Sequence, residues 1–269
     1  MASRRSALKP QRKVVEKMGA IYDKKDMVAC LTINRPEFMN SIDEATFGEM
    51  KAAVDDFRDD DSVRVLIVTG AGEKAFSTGA DLKSVMSDVN VSAAQWTRSR
   101  WFEGVYKPVI AAVNGFCFAG ALEIVLFTDI RIASENALFG MTEARWGVSP
   151  CDGAITRLTS QVSWCHMMEF FAIADPVSAQ DAFRMGLVNK VVPLKELMPT
   201  AEKIARRIAA NAPLAVRNIK EVALRSLSMP MDQSFALEWA MGTRIMATED
   251  AREGPKAFAE KRNPEYKGR

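Results

Sequence analysis

The most apolar stretch of the sequence is VIAAVNGFCFAGALEIVLF at residues 109–127, and it contains one carboxylate, Glu123. Its pattern predicts a buried strand at 109–113, a turn at Asn114-Gly115 and a helix that begins near Gly120. The free N–H groups of such a helix start favour negative charge. An ionised glutamate among apolar neighbours is costly unless it is paired, hydrogen-bonded or protonated. Glu123 is therefore either a functional carboxylate or the polar member of an ordinary buried βα unit.

The rest of the pattern predicts alternating strands and helices, then a helical end. Strands are predicted at 63–70 and 129–134, and a hairpin at 20–34 that turns at YDKKD. Helices are predicted at 43–58, 92–106 and 152–174. Residues 177–193 predict a helix with a Ser178 cap, a stop at Gly186 and a strand. From about 196 the pattern is helical, with breaks at Pro213, Pro230 and Pro255.

A second small-residue turn repeats the geometry proposed at Gly120. In AFSTGADLKSV (75–85), a strand leads into Gly79-Ala80 and then into a predicted helix start with Asp81 and Lys83. Small residues let a backbone approach a ligand closely. Asp81 is expected to cap its helix. The membrane-span length of 109–127 is outweighed by its Asn-Gly pair and its glutamate, so we expect a core segment and no membrane association.

Composition excludes several kinds of chemistry. A net charge of +2 over 269 residues gives no reason to expect nucleic acid as a partner. The four cysteines (Cys30, Cys117, Cys151 and Cys165) have no metal-ligand spacing, so we expect reduced thiols and no metal. The single histidine, His166, lies in a helical pattern and disfavours Ser-His-Asp catalysis.

The sequence is expected to divide into three parts. Residues 1–13 are basic and lack the apolar core of a secretory signal, which predicts a mobile tail. Residues 14–195 should form the core with the active site, and 196–269 a helical oligomerisation region. We expect the cytoplasm as the location. A mitochondrial matrix location stays open, because the tail could be a short targeting peptide.

Five motifs in order resemble the crotonase superfamily, the enoyl-CoA hydratase/isomerase family. They are NRPEFMNSI (34–42), AFSTGADLKSV (75–85), KPVIAAVNGFCFAGALEIVLFTDIRIAS (107–134), ALFGMTEARWGVSPCDGAITRL (137–158) and EDAREGPKAFAEKRNPEYKG (249–268). The resemblance covers roughly residues 18–268. It implies an α/β fold, a spiral of ββα units with a C-terminal helical region, assembled as trimers or dimers of trimers.

The resemblance also implies a ligand and a site. The ligand would be an acyl-CoA thioester, with no separate cofactor, as in fatty-acid β-oxidation. Backbone N–H groups of Ala80 and Gly120 would form an oxyanion hole. Family hydratases use two glutamates, which correspond here to Glu123, activating water, and Glu143, protonating the substrate. We therefore expect an enoyl-CoA hydratase. Lys83 and Lys261 match positions that contact coenzyme A, although each could be an ordinary surface lysine.

Departures from the family pattern leave alternatives open. Cys151 stands where the family often has glycine, and Asp152 follows it. Asp152 is a candidate additional catalytic residue, as in relatives that hydrolyse thioesters, or a simple helix cap. The competing activities are double-bond isomerisation and thioester hydrolysis, and a non-enzymatic RNA-binding or scaffold role is less favoured. Four large side chains are candidates for the acyl pocket or for the core: Trp101, Phe118, Met141 and Trp146.

Overall fold

The computed structural model describes residues 18–81 and 100–269. The strands are β1 (Ala20–Lys25), β2 (Val28–Ile33), β3 (Val65–Gly70), β4 (Ala75–Ser77), β5 (Val109–Val113), β6 (Phe116–Phe118), β7 (Ile130–Ser134), β8 (Leu138–Gly140), β9 (Val177–Ser178) and β10 (Lys190–Val192). The helices are α1 (Glu44–Asp59), α2 (Gly120–Leu126), α3 (Ala154–Leu158), α4 (Trp164–Ile173), α5 (Ala179–Arg184), α6 (Leu194–Ala209), α7 (Pro213–Ser226), α8 (Met231–Met246) and α9 (Glu249–Ala259). Short 3-10 helices span Pro36–Phe38 and Glu143–Trp146.

Two sheets organise the core. The six-stranded sheet has the order β1-β2-β3-β5-β7-β10, and the four-stranded sheet has the order β4-β6-β8-β9. Every pairing is parallel except β1 with β2 and β8 with β9. All residues of β3 and β5 are buried, as expected for central strands covered on both faces. The strands at 63–70, 109–113 and 129–134 are thus confirmed.

Helices cover the six-stranded sheet. The predicted helix at 43–58 is confirmed as α1, whose N-cap Asp43 accepts from the Thr46 N–H at 2.9 Å. On the opposite face of this sheet, α6 buries small and aliphatic side chains against β3, β5 and β7. These are Leu197, Ala201, Ala205 and Ala209. The predicted capped helix at 177–193 is confirmed, because Ser178 Oγ accepts from the Asp181 N–H at 3.1 Å.

Several sequence predictions were wrong in detail. The predicted hairpin forms, but its turn is at Asp26-Met27, the end of the predicted turn at 22–26, since both residues have positive φ and β1 continues to Lys25. Of the helix predicted at 92–106, residues 92–99 lie outside the described residues; the described part is not helical, because residues 101–104 form turns and Arg100, Phe102 and Gly104 have positive φ.

Other corrections concern the longer helices. The predicted helix at 152–174 is two helices, α3 and α4, separated at residues 159–163. Pro255 lies inside α9 and does not end a helix; the chain instead breaks before Thr248, whose hydroxyl caps α9 by accepting from the Ala251 N–H at 3.2 Å. Within the described residues, no helix has the length and apolar character needed to cross a membrane.

Candidate active site

Two small-residue turns lie side by side in the four-stranded sheet. Strand β4 runs into Gly79-Ala80, and strand β6 runs into Ala119-Gly120 at the start of α2. Because β4 and β6 are parallel neighbours, their carboxyl ends meet at the same edge. A Cβ atom placed on Gly120 would lie 3.8 Å from the Ala80 amide nitrogen. The two backbone amides named from the sequence are therefore adjacent.

Ile42 pairs with one side of the backbone at Gly79-Ala80. The Ile42 N–H donates to the Gly79 carbonyl at 2.8 Å, and the Asp81 N–H donates to the Ile42 carbonyl at 2.9 Å. Since successive backbone groups of an extended segment point to opposite sides, the N–H of Ala80 points away from Ile42. In the described part of the chain, no acceptor is recorded for the amides of Ala80 or Gly120. Two adjacent donors are thus available to one oxygen atom of a ligand.

Both turns require unusual backbone conformations. Gly79 has φ +84°, and a Cβ atom there would lie 2.9 Å from the Gly120 amide nitrogen. Only glycine therefore fits between the two donors. Ala119, the N-cap of α2, has φ 52° and ψ −129°, which is strained for a residue with a Cβ atom. Strain of this kind is concentrated at functional sites.

Glu123 lies one turn into α2 and is 6% exposed. Its Oε1 atom accepts from the backbone N–H of Asp152 at 2.9 Å and of Ala154 at 3.4 Å. Gly153, with φ +101°, lets both amides face the same carboxylate. Burial raises the pKa of Glu123 to about 7; the two amides oppose this rise, and the charges of Asp152 and Glu143 add to it. Glu123 can therefore gain or lose a proton near neutrality.

Glu143 is close enough to Glu123 for its charge to act on that carboxyl group. It begins the 3-10 helix Glu143–Trp146, directly after β8. Burial raises its pKa as well. Its Oε2 atom is buried and has no hydrogen-bond partner among the described residues. A buried carboxylate oxygen without a partner is costly, and a substrate or water atom could satisfy it.

Asp152 and Cys151 border the two glutamates. The predicted role of Asp152 as the N-cap of this helix is wrong, because the N-cap of α3 is Gly153. Asp152 instead supplies a backbone amide to Glu123 and a charge that raises the pKa of Glu123. Burial, then the charges of Glu123, Asp152 and Glu143, raise the pKa of the Cys151 thiol.

Arg131, on β7, anchors the helix that carries Glu123, a role that the sequence did not suggest. Its buried guanidinium donates to the carbonyls of Val125 and Thr128, both at 3.0 Å, at the C-terminal end of α2. It also donates to the Leu187 carbonyl at 3.0 Å. A cation at a helix C-terminus is favourable to the helix dipole. The signal in the sequence was a charge between two apolar strand residues, Ile130 and Ile132.

Other predicted residues lie elsewhere. Lys83 falls outside the described residues, as does the helix that Asp81 was expected to cap; Asp81 itself pairs with Arg35 at 3.2 Å. Lys261 is exposed beyond the end of α9, and no recorded contact in residues 18–81 and 100–269 links it to either glutamate. His166, on α4, has its Nδ1 atom 3.1 Å from Ser163 Oγ.

The candidate acyl-pocket side chains differ in burial. Trp101 and Met141 are core residues, at 4% and 1% exposure. Phe118 is half-buried and stacks on Phe116 with ring centroids 5.4 Å apart. Trp146 is 79% exposed at the surface beside Glu143. Among the described residues, no three side chains of the metal-ligating types cluster in a way that could hold an ion.

Comparison with known proteins places this geometry in a family. The sequence profile of the enoyl-CoA hydratase/isomerase family matches residues 23–269, so the chain belongs to that family, as its motifs predicted. It is 39% identical over 251 residues to crotonyl-CoA hydratase of Syntrophomonas wolfei, covering 91% of this chain and 96% of the relative. It is 39% identical over 257 residues to short-chain-enoyl-CoA hydratase of Clostridium acetobutylicum, covering 93% and 98%.

Solved structures agree on the fold. The crystal structure of an enoyl-CoA hydratase from Bacillus anthracis superimposes with a TM-score of 0.90 at 34% identity, covering 93% of this chain and 100% of that one. The predicted α/β crotonase fold with a C-terminal helical region is thereby confirmed.

Proposed function

We propose that this protein is an enoyl-CoA hydratase that adds water in syn fashion across the C2=C3 bond of trans-2-enoyl-CoA thioesters. The observation that carries the proposal is the joint presence of two partly buried glutamates and two adjacent backbone amides. The hydratase names of the two relatives support the reaction, and both relatives are matched over more than nine-tenths of their length.

The thioester carbonyl oxygen would accept from the amides of Ala80 and Gly120. Negative charge grows on this oxygen as the enolate-like transition state forms, so donors fixed in advance stabilise the transition state more than the ground state. By analogy with other oxyanion holes, each donor contributes about 3–4 kcal/mol. Backbone donors suit this role here, because Gly79 leaves no side chain between them.

The two glutamates would divide the proton transfers. Glu123, which becomes ionised as the pH rises through its pKa of about 7, takes a proton from water while the water oxygen bonds to C3. Glu143, whose pKa burial raises above its ordinary value, gives its proton to C2. The C2=C3 π bond breaks as the O–C3 and H–C2 bonds form. We propose that the chemistry requires no separate cofactor, coenzyme A being part of the substrate.

Loss of enoyl absorbance tests the reaction. Crotonyl-CoA mixed with the purified protein should lose its near-ultraviolet conjugation band and yield 3-hydroxybutyryl-CoA by mass spectrometry. Glu123→Gln and Glu143→Gln should each lower kcat by about 10²–10⁴-fold, the usual range for a general acid or base. Glu73→Gln, at an exposed glutamate, is the matched control.

The same mixtures separate the competing activities. Thioester hydrolysis would release free coenzyme A, which a thiol reagent detects, and it would favour a catalytic role for Asp152. Isomerisation would appear as a new conjugated product from 3-enoyl-CoA, with one of the two glutamates dispensable. If crotonyl-CoA binds to the protein but is not converted to any product, the hydratase proposal is overturned.

We also propose that the C-terminal helices form the contact between copies of the chain, as a trimer or a dimer of trimers. Helix α8 buries none of its residues in the single chain. Large apolar side chains on it are exposed, including Trp239 at 80%, Met246 at 77% and Phe235 at 62%. With Ile219 of α7 they line a groove of about 960 Å³. Apolar patches of this kind mark interaction surfaces.

Light scattering on a sizing column tests the assembly. The mass should be three or six times the 29.7 kDa of one chain, and Trp239→Glu should reduce it. A wild-type mass equal to that of one chain would contradict the proposed assembly but would leave the proposed reaction unaffected.

The proposed coenzyme A contacts of Lys83 and Lys261 are tested by their alanine variants, which should raise KM more than they lower kcat.

A further inference from the structure

Cys151 lies at the border of the catalytic carboxylates and has no part in the proposed proton transfers. The Asp152 amide nitrogen is 2.9 Å from Glu123 Oε1. Standard bond lengths put the Cα atom of the preceding residue about 2.4 Å from that nitrogen, so the Cα atom of Cys151 is within about 5 Å of the carboxylate. The residue is exposed, so a ligand can reach it.

The thiol is close enough to both glutamates for their charges to act on it. Burial raises the pKa of Cys151 most, and the charges of Glu123, Asp152 and Glu143 raise it further. A thiol with a raised pKa is mostly protonated at neutral pH. The Cys151 side chain is therefore an uncharged group of fixed volume beside Glu123 and Glu143.

We propose that the Cys151 side chain limits the space next to C3 of the bound thioester and so selects substrates with a single substituent on that carbon. The inference rests on the proposed hydratase function, because it assumes that the glutamates flank C3. Water and any second substituent on C3 would both lie between the glutamates and residue 151. Glycine, which the family pattern often has here, would leave that space open, whereas Cys151 fills it with a methylene and a sulfur atom.

A volume series at residue 151 tests the inference. The measured quantity is the ratio of kcat/KM for 3-methylcrotonyl-CoA, which carries a second methyl group on C3, to that for crotonyl-CoA. One methyl group of misfit is worth about 10–200-fold in such a ratio. We expect Cys151→Ala to raise the ratio about tenfold or more and Cys151→Val to lower it. Cys151→Ser, which keeps a methylene and one further heavy atom, should stay near the wild-type ratio.

The outcomes separate the two proposals. A wild-type protein that does not hydrate crotonyl-CoA refutes the proposed function. A wild-type protein that does so, with the same ratio in the Ala, Ser and Val variants, overturns the role of Cys151 alone. A ratio that changes in the Ser variant as much as in the Ala variant also overturns it, because the effect would then follow the sulfur atom and not the volume.

Labelling gives a readout independent of activity. Maleimide should react with Cys151 and with Cys165, the other exposed cysteine. Butyryl-CoA has no C2=C3 double bond and cannot be hydrated. At a concentration that fills the site, it should slow the labelling of Cys151 at least about tenfold and leave the labelling rate of Cys165 unchanged, since only Cys151 borders the carboxylates. Equal labelling of Cys151 with and without bound butyryl-CoA would show that its side chain does not face the acyl group, and the inference would fail.

Discussion

Replacing Glu123 by glutamine should stabilise the protein at alkaline pH while lowering the rate of hydration about 10²–10⁴-fold. Glu123 is 6% exposed, and its pKa is about 7 against an ordinary value of 4.5. Between these two pH values the unfolded chain loses the proton and the folded chain keeps it. Stability therefore falls as pH rises from 4.5 to 7 and is then constant. Glutamine has no charge and avoids this loss.

The magnitude follows from the difference between the two pKa values. At 1.36 kcal/mol for each pKa unit, the ionised carboxylate costs about 3 kcal/mol of folding free energy above pH 7, and nothing below pH 4.5. The figure of about 3 kcal/mol already includes the effects of the neighbouring groups. The backbone amides of Asp152 and Ala154 lower the pKa of Glu123, and the charges of Asp152 and Glu143 raise it. The glutamine carbonyl can accept from the same two amides, so the local contacts persist.

Urea unfolding at pH 5, 6, 7 and 8 measures the effect. The free energy of unfolding of Glu123→Gln minus that of wild type should grow with pH, from near zero toward about 3 kcal/mol at pH 8. Glu73→Gln, on the surface, should give a difference that does not grow. A Glu123→Gln difference independent of pH, or a variant less stable than wild type at pH 8, would refute the assignment of a raised pKa to this buried carboxylate.

Three further changes probe the surroundings of the carboxylate and the oxyanion hole. Asp152→Asn removes a charge that raises the pKa of Glu123, so the rise of kcat/KM with pH should move to lower pH; an unmoved pH profile would contradict this. Gly79→Ala places a Cβ atom 2.9 Å from the Gly120 amide nitrogen and should lower kcat about 10²–10³-fold, and wild-type kcat would show that the two amides are not used. Ala119→Gly relieves the backbone strain at φ 52°. The greater entropy of glycine in the unfolded chain offsets part of this gain, so the free energy of unfolding in a urea titration should rise by about 1 kcal/mol. A loss of stability would mean that the Ala119 conformation is not strained.

The parts of the site that lie in periodic segments could be predicted from the sequence. The apolar run placed Glu123 one turn into a buried helix, and small residues located the helix start at Gly120. Both features follow from the pattern alone, because burial and close backbone approach restrict residue type. The adjacency of Ala80 and Gly120 needed the parallel pairing of β4 and β6, which no local pattern specifies.

Irregular segments account for what was missed. Strand β6 has three residues, Phe116–Phe118, too few to show a period. Glu143 begins a four-residue 3-10 helix, whose path depends on Gly147 at φ 70°. The backbone amides of Asp152 and Ala154, which donate to Glu123, lie on either side of Gly153. The positive φ of Gly153, +101°, turns both amides toward the carboxylate. Loop geometry of this kind is set by tertiary contacts and not by spacing.

The role of Arg131 shows a different limit. Its charge is compatible with an exposed position on an edge strand, yet β7 lies between β5 and β10 and the side chain is buried. Of the carbonyls that it binds, that of Leu187 is 56 residues away in sequence, and those of Val125 and Thr128 lie six and three residues away at the end of α2. The strand was predictable from the pattern, but the partners of the guanidinium were not, because they become neighbours only once the chain has folded.

The rates of crotonyl-CoA hydration by wild type, Glu123→Gln, Glu143→Gln and the double variant test the central claim most directly. If both carboxylates act on one water and one double bond, each single change should remove most of the activity. The double change should then cost little more than the worse single change, because the two residues act as a unit. Near-wild-type hydration in either single variant, or losses that multiply in the double variant, would contradict the two-glutamate mechanism.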